Sequence, residues 1–186
     1  LKAGLARATA FGGVMEVGYL PDMFGHIAQM PQLFSLFDFA HAVVWRGVPS
    51  TVDRTAFWWE APDGSRVRAE YLWGSYSNGR DLANDAAQLV ARASGYEAEL
   101  GEAMLPGAGL LLMNGTDHQM PQPWLGELVE AANAKQHDYE FVVASLRSYL
   151  DAQPSEGLQT LREQALRLVQ DDMTTIAEVL RTVYVM

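Results

Sequence analysis

Along the first 150 positions the apolar residues fall into two alternating patterns. Short β-branched or unbroken apolar runs at 14–17, 41–47, 109–113 and 140–145 have strand length and predict buried strands. Between them the apolar residues recur at helical spacing, as in Met30, Leu33, Phe34 and Phe37 of the predicted helix 28–39. Further helices are predicted over 1–10, 82–100 with a stop at Gly101, 123–134, and from Leu146 to Leu150. The run 57–72 is different. Asp63-Gly64 supplies turn chemistry, and Val67, Ala69 and Tyr71 alternate with charged neighbours, which predicts a β-hairpin with a half-buried strand. Strand and helix in alternation predict a parallel α/β architecture.

In such an architecture the chemistry gathers just past the C-terminal ends of the strands. Three such positions carry charge. Asp22 follows the first run, in Gly18-Tyr-Leu-Pro-Asp-Met-Phe-Gly-His26, where Pro21 removes a donor and Gly25 is expected to allow an unusual turn. Arg46 ends the second run, and Asp117 follows the third in Asn114-Gly-Thr-Asp-His-Gln119. Each has a plainer reading. Asp22 could cap the next helix, Arg46 could be a solvated surface arginine, and Asp117 could be the N-cap of the helix near Pro123-Trp124. Trp73 and Tyr76 lie in a polar, glycine-rich loop of the kind that contacts substrate. Adjacent Trp58 and Trp59 could stack on a sugar or form hairpin core.

Composition narrows the partners. A net charge of −10 with 13 scattered Lys and Arg disfavours nucleic acid. No apolar run is long enough for a membrane span, so a soluble, cytoplasmic chain is expected. Cysteine is absent, so any metal must use His or carboxylate. The chain starts at Leu1 in what reads as mid-helix, and is therefore expected to be a fragment.

The run Gly18 to His26 with Ile27-Ala-Gln-Met-Pro-Gln32, the Arg46 strand end, the Trp58-Trp-Glu-Ala-Pro-Asp-Gly-Ser65 hairpin and Asn114 to Gln119 occur in an order that resembles the bacterial branch of the glycoside hydrolase family 38 α-mannosidases. The resemblance covers about 11–150. It implies part of a seven-stranded β/α barrel over 1–150, followed by a C-terminal helical segment, 151–186, of unclear role. It further implies retaining hydrolysis of terminal α-mannosidic bonds in mannose-containing oligosaccharides or glycosides. Asp22 would be nucleophile and zinc ligand, Asp117 acid/base, and Arg46, Trp73 and Tyr76 would contact substrate. The acid/base role would need an apolar setting around Asp117.

The chain also departs from the family. No His-x-Asp pair precedes Asp22, and His26 and His118 do not match the family's metal-binding histidines, so the zinc site is expected to be incomplete and the chain inactive by itself. The rival expectation is an inactive module that binds carbohydrate through Trp58, Trp59, Trp73 and Tyr76, or binds a partner chain. A deacetylase-like barrel lacks its His-rich motif here. From Asp151 on the resemblance lapses, and Leu158, Leu161, Ala165, Leu168, Val169, Ile176 and Leu180 predict one long packing helix.

Overall fold

The computed structural model describes residues 1–120 and 122–170, which form two compact units. The first comprises Leu1–Leu72 and the described residues from Pro154 on. It holds helix α1 (Lys2–Ala10), strand β1 (Val17–Leu20), helix α2 (Met30–Ser35), strand β2 (His41–Val44), and the hairpin β3 (Ala56–Glu60) and β4 (Arg66–Tyr71). The strand order is β1-β2-β4-β3, with β1, β2 and β4 parallel and β3 antiparallel at the edge. The result is a mixed α/β fold around a four-stranded sheet.

The hairpin forms as its turn chemistry requires. Gly64 has φ +85°, and the Asp63 carboxylate accepts from the Ser65 amide at 3.0 Å. That bond and one from the Ser65 hydroxyl hold the Asp63 carboxyl below its ordinary range. Phe34, Phe39, Val44, Phe57, Trp59 and Val67 make the core. Gly18 is needed beneath it, because a Cβ there would lie 2.4 Å from the Phe34 ring.

Three expectations are corrected in this unit. The first strand starts at Val17, three residues late, and Val14 and Met15 are exposed: strand formation follows pairing, and Val17 is the residue opposite His41 of β2. Gly25 does not adopt a positive φ; Gly47 does, at +72°. Two of the charged neighbours in β4, Arg68 and Glu70, do not face water, while Arg66 does. Arg68 and Glu70 are buried and form an ion pair at 2.8 Å, so β4 is covered on both faces. Of the predicted long helix, α6 (Leu161–Gln170) lies in this unit, with Leu161 and Ala165 buried and a reciprocal Thr160–Glu163 capping pair at its start. Ile176 and Leu180 lie outside the described residues.

The second unit, Trp73–Gln153, contains α3 (Ala86–Leu100) and α4 (Leu125–Lys135), packed around Leu82, Leu89, Leu128 and Ala132, and α5 (Leu146–Ala152). Asp85 caps α3 by accepting from Ala87 N at 2.9 Å. The runs 109–113 and 140–145 are not strands here. A strand exists only against a neighbour, and these backbones bond elsewhere: Met113 N donates to Asn78 Oδ1 at 2.7 Å and Phe141 N to Asn133 Oδ1 at 2.8 Å. Val142 and Val143 are left exposed. No helix among the described residues is long and apolar enough to cross a membrane.

Candidate functional site

The register of two parallel strands builds the first part of the site. Leu20 of β1 pairs with Val44 of β2, so the residues two positions further on, Asp22 and Arg46, become neighbours past the same strand ends. Arg46 N continues the ladder by donating to Pro21 O at 2.9 Å. The Arg46 Nε then donates to Asp22 Oδ1. Its guanidinium lies 4.1 Å from the Trp45 ring centroid and 5.8 Å from that of Phe24, which holds the planar group in place. Asp22 keeps 56% of its side chain exposed, so its second oxygen remains approachable. It caps no helix: the N-cap of α2 is Gln29.

Sequence reasoning gave His26 no role, yet it locks this corner. It is buried edge-on to Trp59, centroids 5.1 Å apart, and its Nε2–H donates to Arg46 O at 3.1 Å. Burial lowers its pKa from 6.5, partly offset by that bond. Gly47 completes the corner by passing so close to the 23–25 turn that a Cβ would lie 2.4 Å from Gly25 N.

The second unit carries the other predicted groups. The Tyr76 hydroxyl donates to Asp117 Oδ2 at 3.1 Å, and Trp73 Nε1 donates to Glu99 at 2.9 Å. Asp117 is exposed and follows an unpaired run, so it does not sit at a strand end, and no apolar surround encloses it. The capping alternative also falls away, because the N-cap of α4 is Trp124. Asn78, which the sequence did not single out, organises the loop. It accepts from Met113 N and donates to Leu111 O at 3.0 Å, tying the 73–79 loop to the 111–113 run. Trp59 is core, and Trp58 is half-buried beneath Arg66 at 4.5 Å, so the hairpin tryptophans are structural.

Among the described residues no group of three or more His, Asp or Glu side chains could hold a metal ion. Asp22 is bound by Arg46, and His26 Nε2 by a backbone carbonyl. The described residues therefore do not fit a zinc site.

Three parallel strands with an antiparallel edge, and an arginine-held carboxylate just past two of the strand ends, define a mixed α/β fold. The profile of the glycosyl hydrolases family 38 N-terminal domain matches residues 7–177, and the chain belongs to that family. It is 31% identical over 165 residues to a Halalkalibacterium halodurans protein named "Putative mannosylglycerate hydrolase", covering 81% of this chain and 18% of that protein. It also resembles the crystal structure of an alpha-mannosidase from Enterococcus faecalis, with TM-score 0.74 and 30% identity over 85% of this chain and 19% of that one. The chain thus spans less than a fifth of the length of these relatives.

Proposed function

We propose that residues 1–150 are the central part of the catalytic barrel of a retaining α-mannosidase, with 151–186 a further segment whose described helix, α6, belongs to the first unit. The remaining strands of the seven-stranded barrel would come from outside the described residues. Asp22 attacks the anomeric carbon, Asp117 protonates the leaving oxygen and later activates water, Arg46 orients Asp22, and Tyr76 orients Asp117. Retention requires the two carboxyl groups to stand about 5 Å apart in the assembled enzyme. The observation that carries the reading is the Arg46–Asp22 contact at the shared strand edge, in a chain of this family. Substrates are mannosides. A mannoside with a carboxylate-bearing aglycone falls within the reading, since one relative is named for mannosylglycerate.

The isolated 186-residue chain is inactive in this reading, because the described residues supply Asp22 without companion metal ligands. The test is release of p-nitrophenol from its α-mannoside by this chain and by a version extended on both sides, with proton NMR of the first-formed mannose anomer. The extended protein should turn over and release the α-anomer first, and Asp22→Asn should abolish turnover. First release of the β-anomer, or full activity in Asp22→Asn, would refute the assignment.

A further inference from the structure

We propose that Asn114 is a site of spontaneous deamidation through which the loop carrying Asp117 ages, and that the fold shields the chain's other Asn-Gly step. The consequence for catalysis rests on the function proposed above; the modification itself rests on the second unit alone. The two Asn-Gly steps are Asn78-Gly79 and Asn114-Gly115. In such a step the glycine nitrogen, unhindered by any side chain, loses its proton and attacks the asparagine Cγ. A C–N bond forms, the side-chain nitrogen leaves as ammonia, and water opens the resulting succinimide to aspartate or isoaspartate.

The two steps have opposite surroundings. Gly79 is buried, its N–H donates to Met113 O at 2.9 Å, and a Cβ on it would lie 2.9 Å from Leu112 C. The Asn78 amide is held at both ends: Oδ1 accepts from Met113 N at 2.7 Å, and Nδ2 donates to Leu111 O at 3.0 Å and to Trp73 O at 3.4 Å. Attacking atom and target are both fixed, so bringing them together would break these bonds in a closed space. Gly115 is exposed, nothing lies within 4 Å of a Cβ added to it, and its N–H meets no acceptor among the described residues. Asn114 is half-buried and held only through Nδ2, which donates to Gly79 O at 2.8 Å and lies 3.5 Å from Gln122 Oε1. Those contacts slow the step but leave the attacking nitrogen unrestrained.

Asn114 lies three residues before Asp117, and Gly79 three residues after Tyr76, so the bond from Asn114 Nδ2 to Gly79 O ties together the two segments that carry the Tyr76–Asp117 pair. Either product removes its donor, and a carboxylate oxygen then faces a carbonyl oxygen, acceptor against acceptor. The isoaspartyl product also adds a methylene to the main chain. Deamidation therefore loosens the hold of Tyr76 on the acid/base carboxylate.

The test is mass spectrometry of tryptic peptides from the 186-residue chain after incubation at mildly alkaline pH. Peptides 69–80 and 93–135 carry Asn78 and Asn114 separately, and fragment ions distinguish Asn114 from Asn133. In the folded chain Asn114 should gain one mass unit while Asn78 does not; in guanidinium chloride both should convert. Gly115→Ala, which has room for its Cβ, should suppress the shift at Asn114. In the extended protein the same incubation should lower mannoside hydrolysis per folded molecule about tenfold, the factor that corresponds to one lost hydrogen bond, and Gly115→Ala should hold its own starting rate. Equal conversion of the two asparagines in the folded chain, or conversion of neither, overturns the proposal. Conversion of Asn114 with hydrolysis unchanged removes the link to Asp117. Conversion of Asn114 with no hydrolysis by the fresh extended protein removes the mannosidase reading alone.

Discussion

Gly47→Ala tests whether the close backbone approach at 45–47 holds the Asp22 corner together. Two penalties act at this position. At φ +72° an L-residue is strained by about 1–2 kcal/mol. The new Cβ would also lie 2.4 Å from Gly25 N, 2.8 Å from Gly25 Cα and 2.9 Å from Met23 O. These are backbone atoms, so no rotamer change relieves the overlap, and displacing them adds about 1–3 kcal/mol by analogy with overpacked cores. The expected loss is about 2–5 kcal/mol.

Gly64→Ala is the matched control. Its φ is +85° and nothing lies within 4 Å of its added Cβ, so only the strain of about 1–2 kcal/mol applies. Both positions belong to the same compact unit, so urea unfolding reads both changes from one transition. Gly47→Ala should fall below Gly64→Ala by about 1–3 kcal/mol. In the extended protein it should also lower mannoside hydrolysis, because the turn that separates from Gly47 carries Asp22 away from Arg46. Equal destabilisation by the two variants would show that the 23–25 turn yields freely, and the argument for a rigid corner would fail.

Phe34→Ala should cost about 3–5 kcal/mol and Leu128→Ala about 2–5 kcal/mol in denaturant unfolding, since both are buried at 2% and 1% exposure; a loss under about 1 kcal/mol at either would contradict the packing described. Because burial lowers the His26 pKa, the unfolded state takes up its proton first on acidification: stability is fully present above 6.5 and is lost as pH falls through the lower folded value. An NMR titration should show the His26 ring titrating below 6.5, and a value above it would mean the ring is not desolvated. Glu70→Gln strands the Arg68 guanidinium in the interior and should cost about 3–5 kcal/mol, most of it recovered when Arg68→Met is added; urea midpoints decide.

Much of the sheet was legible because its signals were local. Asp63-Gly64 announced the hairpin, and the unbroken run ending at Arg46 announced β2. What failed depended on neighbours. An apolar run does not say whether a strand lies beside it, so Leu110 to Met113 looked like β2 but bonds to Asn78 instead. Nor does alternation say how many faces are covered: Arg68 and Glu70 read as solvent-facing, and the one clue to their burial was opposite charge at i, i+2 in the strand. At the site, Asp22 beside Arg46 needed only a strand boundary and a parallel register. His26 was missed because its partner is a backbone carbonyl 20 residues away, which no side-chain pattern encodes.

The partners of the two aspartates differ in a way that bears on the roles proposed for them. Arginine carries five N–H donors and no acceptor, so Arg46 can donate to Asp22 but cannot accept a hydrogen bond from it, which suits a carboxylate that attacks rather than one that cycles a proton. A phenol both donates and accepts. The Tyr76 hydroxyl at 3.1 Å from Asp117 can donate to a carboxylate, then rotate its proton away and accept from a carboxylic acid, and so remain a partner through both halves of a protonation cycle. A retaining glycosidase makes these unequal demands: one carboxyl group stays ionised until it bonds to carbon, while the other releases and recovers a proton in each turnover. Exchanging the two partners would leave a cycling acid facing a donor-only guanidinium in its protonated half. The arginine at the strand edge and the tyrosine in the loop therefore favour assigning attack to Asp22 and proton transfer to Asp117, rather than the reverse.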